Sequence, residues 1–179
     1  MRALLLGTLL VALVPSAAAQ PEAAPEDVES VESIMAAVYD VISGPATEAR
    51  DWDRFRSLMH PEGRLVPLAP TESGGWRPLV WSVEDYVERA GPMFRDAPMF
   101  QGKGFYEVEA ASRVERYDAL AHVWSTYESR LDPAEEPFAR GINSFQLYHD
   151  GDRWWVLSIL WEQESPAAPI PAEYLPDGE

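Results

Sequence analysis

Between Gly141 and Glu164 the chain reads GINSFQLYHDGDRWWVLSILWEQE. Two runs rich in aromatic and β-branched residues flank Asp150-Gly151, which predicts a β-hairpin with a tight turn. A hairpin with one wet face alternates apolar and polar residues. The second arm does not: Trp154, Trp155, Val156, Leu157, Ile159, Leu160 and Trp161 fall on both faces of a regular strand. Pairing His149 with Asp152 places Asn143, Phe145, Leu147, Trp154, Val156, Ser158 and Leu160 on one face. Ile142, Ser144, Gln146, Tyr148, Trp155, Leu157, Ile159 and Trp161 then share the other.

Upstream the period changes. Val28, Val31, Ile34, Met35, Val38, Val41 and Ile42 recur at helical spacing and predict one helix from Pro25 to the stop at Ser43-Gly44-Pro45. A shorter helix is predicted from an Asp51 cap to Pro61, with Trp52, Phe55, Leu58 and Met59 as its stripe. Two short strands, 64–68 and 76–81, flank the turn at 71–75. A third helix opens at Ser82, with Asp85 completing a capping pair, and Gly91-Pro92 weakens or ends it. Strands are predicted at 105–117, 119–131, 139–149 and 153–163, joined as an antiparallel meander. Helices first and long strands last argue an α+β fold with the helices on one side of the sheet.

This order, together with DWDRFRSLMHPEGRL at 51–65, DALAHVWSTYESR at 118–130 and FARGINSFQLYHDGDRWWVLSILW at 138–161, resembles the nuclear transport factor 2-like (SnoaL-like) superfamily, in particular bacterial members of unassigned function. The resemblance covers residues 26–164. It implies a cone-shaped, strongly curved antiparallel sheet packed on three N-terminal helices, with a pocket inside. It also implies a concave face made of the Asn143 set and a convex face made of the Trp155 set. An exposed row of large apolar side chains forfeits roughly 1.5–3 kcal/mol each and marks an interface. The expectation is a homodimer through Trp155, Leu157, Ile159 and Trp161, or else a fold-back of the C-terminal tail over the same row.

Composition narrows the chemistry. The chain has 179 residues, no cysteine and a formal net charge of −16. Thiol catalysis and thiolate metal sites are excluded, and nucleic acid or anionic membrane surfaces are repelled. Residues 1–19 have the basic start, apolar centre and Ala-x-Ala ending of a cleavable signal peptide, so a secreted or periplasmic location is expected, with cleavage after Ala19. Residues 20–25 read as a disordered leader, 26–164 as the domain and 165–179 as a Pro-rich tail.

The three histidines are widely spaced, with no metal-ligand pair, and no phosphate loop or nucleophile elbow is present; no metal or cofactor is expected. What remains is acid–base work on a small apolar molecule in the cone. His60, His122 and Glu162 are the catalytic candidates. Each has a plainer reading: a helix-terminal histidine, a satisfied strand histidine and a solvated strand end. Trp52, Tyr86, Trp124 and Tyr127 are candidate ligand walls or simply core. Asn143 and Ser158 are candidate orienting groups. Arg140 is a candidate carboxylate contact or the partner of Glu128 or Asp132. The resemblance implies isomerase, dehydratase or hydrolase chemistry; the alternative is a non-catalytic binding or assembly module of the cell envelope acting through its outer sheet face.

Overall fold

The computed structural model describes residues 20–100 and 102–176; residues 1–19, on which the expectation of a signal peptide rests, lie outside them. Helices α1 (Pro25–Val28), α2 (Val31–Ile42), α3 (Trp52–Leu58) and α4 (Val83–Asp96) precede the long strands β4 (Gly104–Tyr117), β5 (Leu120–Arg130), β6 (Ala139–His149) and β7 (Trp154–Gln163). Shorter strands β1 (Gly44–Pro45) and β3 (Trp76–Pro78) and the longer β2 (Met59–Pro70) complete one curved sheet in the order β1-β4-β5-β6-β7-β2-β3. The sheet is mixed, because β2 runs parallel to β7 while the other pairings are antiparallel. The α+β class and the meander hold. No helix among the described residues is long and apolar enough to cross a membrane.

The first helix is two. Ser30 is extended, and its hydroxyl accepts from the Ser33 amide while the Ser33 hydroxyl accepts from the Ser30 amide, each at 3.0 Å. This reciprocal cap restarts the helix. Arg54 of α3 grips Asp27 of α1 with two hydrogen bonds of 2.8 and 2.9 Å, which holds the Asp27 carboxyl below its usual range. At the other end of α2, buried Arg50 donates to the carbonyls of Ile42, Gly44, Pro45 and Glu48 at 2.7–3.1 Å. It satisfies acceptors that a helix terminus leaves open. Gln20 is not free either: its amide donates to the carbonyls of Arg56 and Met59 at 2.9 and 2.6 Å, so the leader docks at the end of α3.

Helix α3 stops at Leu58 rather than Pro61, and Met59 already begins β2. Helix α4 runs through Gly91-Pro92 to Asp96. Buried Ala90 and Phe94 bracket the proline, and Phe94 stacks on Trp52 and on Phe105 with ring centroids 6.4 and 4.6 Å apart. Tertiary packing thus offsets the hydrogen bond that proline cannot donate.

A β-bulge resolves the doubly apolar strand. Leu147 pairs with Val156 but Gln146 pairs with Ser158, so Leu157 is an extra residue. Trp154 and Val156 point inward before it, and Ile159 and Trp161 line the interior after it. Ser158, Leu160 and Glu162 consequently face outward. The regular pairing predicted from the sequence therefore exchanges the faces of every residue beyond Leu157, as a one-residue slip must. The partner strand is irregular at the same place: the β2–β7 register shifts between Met59 and Arg64. Gly63 packs there so closely that a Cβ would lie 2.8 Å from the His60 carbonyl oxygen and 3.4 Å from that of Leu157.

Candidate functional site

Helices α2 and α4 and the concave face of the sheet enclose a cavity of about 480 Å³. Its wall is aromatic: Phe55, Tyr86, Phe105, Tyr127, Phe145 and Trp161 are among the lining residues. The polar groups are few. Glu107 on β4 is half-buried, in the wall of the cavity. The Ser129 hydroxyl donates to its Oε2 at 2.8 Å from the neighbouring strand, to which it is paired directly. Burial pushes the Glu107 carboxyl up to about 7, and hydrogen bonds from Ser129 and Asn143 counter only part of the rise.

Around Glu107 sit three phenols. Tyr39, projecting from α2, accepts from Asn143 Nδ2 at 3.1 Å and lies 2.6 Å from Ser125 Oγ. Ser125 donates its only proton to Glu109 at 2.5 Å, so Tyr39 donates to Ser125. Tyr39 is thereby fully engaged. Tyr86 and Tyr127 differ: both line the cavity, and neither hydroxyl has a hydrogen-bond partner among the described residues. Burial raises both phenols above their usual range, and the Glu107 charge adds to the rise. Tyr127 lies against Gly141, its directly paired neighbour, where a Cβ would come within 2.6 Å of the hydroxyl oxygen. The glycine is what lets the tip of the ring approach β6 so closely.

A carboxyl poised near neutrality beside two unengaged hydroxyl donors in an apolar chamber can take or give a proton while the phenols hold an acceptor on the ligand. Histidine, cysteine, aspartate and glutamate form no metal-holding cluster among the described residues.

Of the residues nominated from the sequence for catalysis or ligand binding, Tyr86, Tyr127 and Asn143 line this chamber. The other catalytic and ligand-binding candidates do not. His60 stands on the outer face, edge-on to Tyr148 and Trp155, with its Nδ1 accepting the Glu62 amide at 3.1 Å. His122 is 3.0 Å from Ser144 Oγ, next to Trp124. It points outward because its neighbours Ala121 and Val123 take the buried phase of β5. Ser158 and Glu162 are turned out by the bulge. Trp52 packs against Phe55, Tyr86 and Phe94 behind the wall. Arg140 pairs with Glu164, its Nε 2.5 Å from Oε2, while Glu128 is taken by Arg130.

Glu107 and Ser129 were missed. GFYEVEAA at 104–111 alternates equally well with Tyr106, Val108 and Ala110 facing inward. The signal that decides lies across the strand pair: Tyr127 and Ser129 share a face, and register places Glu107 opposite Ser129.

The outer face is also not the continuous apolar row expected. Of the four nominated interface residues, Ile159 and Trp161 are inside. Trp155 is half-buried under Arg153, whose guanidinium lies 3.7 Å from the ring centroid, and its indole donates to Asp150 at 2.6 Å. The tail covers another part: the Tyr174 ring packs 5.8 Å from Trp124, its carbonyl accepts from the Thr126 hydroxyl at 2.5 Å, and Arg113 stacks over it. Leu157 and Leu160 remain 42% and 40% exposed.

No protein-family model matches the sequence, and no curated protein matches it. Solved structures do. A Nostoc punctiforme protein of unknown function with a cystatin-like fold has a TM-score of 0.55 at 11% identity, over 78% of this chain and 91% of that one. A Thiobacillus denitrificans protein described as a calcium/calmodulin-dependent protein kinase type II association domain has a TM-score of 0.53 at 15% identity, over 79% and 96%. A nuclear transport factor 2-like protein from Cytophaga hutchinsonii gives 0.47 at 12% identity, over 73% and 89%. The chain has the cystatin-like fold; identities this low speak for the fold alone.

Proposed function

We propose that this protein binds a small, mainly apolar organic molecule in its interior chamber and that Glu107 exchanges a proton with it, without a cofactor. One observation carries the reading: the Glu107 carboxyl, the Tyr86 hydroxyl and the Tyr127 hydroxyl converge on one apolar cavity, the carboxyl poised near neutrality and both phenols unengaged. A cavity of about 480 Å³ falls within the roughly 300–1,000 Å³ of small-molecule sites and supports this reading over that of a module whose cone is filled by its own side chains. In this reading Glu107 is the base or acid and the two tyrosines stabilise charge developing on the ligand's oxygen. Asn143 and Ser129 position the carboxylate.

The experiment is elimination of 5-nitrobenzisoxazole, an apolar substrate that reports a buried base. Glu107 removes the ring C–H proton, the N–O bond breaks, and the phenolate product is followed by absorbance. The expected rate rises with pH through a midpoint near 7 and is lost in Glu107→Gln. A wild-type rate equal to that in buffer would overturn the acid–base part of the reading.

Export to the periplasm or beyond is proposed on the character of residues 1–19; N-terminal sequencing of the exported protein is expected to begin at Gln20. A homodimer is proposed on narrower ground than before, through the part of the outer face that the tail and Arg153 leave open, centred on Leu157 and Leu160.

A further inference from the structure

Two charged residues line the chamber. Glu107 is at the wall of the interior, and Arg89 is the only cationic side chain among the described lining residues. Arg89 follows Tyr86 by one turn of α4 and shares its face. It is exposed, as are the lining residues Met93, Met99, Phe138 and Gln163, which together mark the mouth. Its guanidinium is stacked 5.1 Å over the Trp81 ring. No carboxylate lies within ion-pair distance of it among the described residues. Asp85, one turn earlier, acts on it only at longer range, because the Asp85 carboxylate is taken by the Ser82 amide and hydroxyl at 2.9 and 2.7 Å. In a chain with 30 acidic residues and 14 basic ones, an arginine held at a cavity mouth by an aromatic ring, with no acid paired to it, has a specific use. Stacking fixes the guanidinium plane and leaves its N–H edge free to fork onto a planar anion.

We propose that the ligand is an amphipathic organic monoanion: an apolar body in the aromatic chamber, a carboxylate or similar acid at the mouth on Arg89, and a neutral acceptor at the inner end facing Tyr86, Tyr127 and Glu107. This rests on the reading of the chamber as a small-molecule site. A cationic ligand would meet Arg89 on entry and be repelled there. A fully apolar one would make no use of it.

The test compares two fluorescent probes with the same body. 1-Anilinonaphthalene-8-sulfonate carries one negative charge; N-phenyl-1-naphthylamine carries none. Both are titrated against the full chain and against Arg89→Gln, an exposed substitution that leaves the core untouched. The sulfonate probe is expected to bind the wild type and to lose about tenfold or more in affinity in Arg89→Gln, the loss of one charge-assisted contact, with Arg89→Lys intermediate. The neutral probe is expected to bind both proteins alike. Ala139→Trp, which narrows the mouth, is expected to weaken both probes. Equal effects of Arg89→Gln on the two probes, or tighter sulfonate binding in the variant, would overturn the role of Arg89 while leaving the chamber reading intact. Failure of the sulfonate probe alone to bind the wild type would likewise overturn the role of Arg89, and failure of both probes would overturn the chamber reading itself.

Discussion

Ser129 Oγ donates to Glu107 Oε2 at 2.8 Å across directly paired positions of β4 and β5. That single bond, with help from Asn143, is what the protein supplies to a carboxylate it has otherwise desolvated. The consequence for stability has a definite sign. Unfolded, Glu107 titrates near 4.5; folded, near 7. Between these values the native state holds a proton that the unfolded chain has released, so its contribution to stability falls as pH rises from about 4.5 to about 7 and levels off above. Glu107→Gln removes the penalty. The variant is expected to match wild type near pH 4.5 and to be more stable above pH 7, by at most about 3 kcal/mol, less where cavity water solvates the charge. Urea denaturation at pH 5 and pH 8 measures it; equal curves at pH 8 would contradict a desolvated carboxylate. Ser129→Ala is expected to move the Glu107 midpoint upward, read by carboxyl-carbon NMR titration.

The long strands, the helix starts at Asp51 and Ser82 and the α+β class were legible because alternation and caps are local signals. The interior chemistry was not. Whether Glu107 or Tyr106 points inward depends on register between strands, and one residue, Leu157, decides which face half of β7 presents. A bulge leaves no mark in composition. The histidines attracted attention by residue type, yet both His60 and His122 sit on the outer face, where alternation alone could not place them without knowing which neighbours were buried.

Gly141 is the second constraint on the site. Alanine there would bring a Cβ within 2.3 Å of the Glu162 backbone oxygen and 2.6 Å of the Tyr127 hydroxyl. Neither the strand nor the ring can yield freely. Gly141→Ala is expected to cost about 1–3 kcal/mol as an overpacked substitution and to displace Tyr127 from the chamber, seen as a loss of neutral-probe affinity larger than the loss of stability alone would give. A variant with wild-type melting and wild-type probe binding would show that the close packing of Tyr127 on Gly141 is not needed.

The outer face makes a separate prediction. Leu157 and Leu160 are its most exposed large apolar side chains on β7. Two exposed leucines are ordinary on a monomer, so association must be measured. Leu157→Glu with Leu160→Glu is expected to convert a dimer to a folded monomer by light scattering, with the chamber unaffected because both residues face away from it. A wild type already monomeric at tens of micromolar would dispose of the dimer, and the tail and Arg153 would then be the whole cover of this face.

Deletion of Leu157 tests the bulge itself. In a regular strand, removing one residue turns every later side chain to the opposite face. Trp124 lies in such a stretch, since β5 pairs with β6 without a register shift; deleting it reverses the facing of the residues on one side of the gap, and the core cannot form. Leu157 is the residue that β7 has in excess over β6. Without it Val156 still faces in, Ser158 out, Ile159 in and Trp161 in, while the local bend and the fit to Gly63 on β2 are lost. The expectation is therefore asymmetric: the Leu157 deletion folds, with a melting temperature lowered by several degrees and Trp161 fluorescence still shielded from iodide, whereas the Trp124 deletion yields no soluble folded protein. If both deletions abolish folding, the bulge is tied to β2 and the curvature of the sheet rather than being only a switch of facing. If the Leu157 variant folds with Trp161 open to quencher, the assignment of Ile159 and Trp161 to the interior is wrong, and the chamber wall must be redrawn.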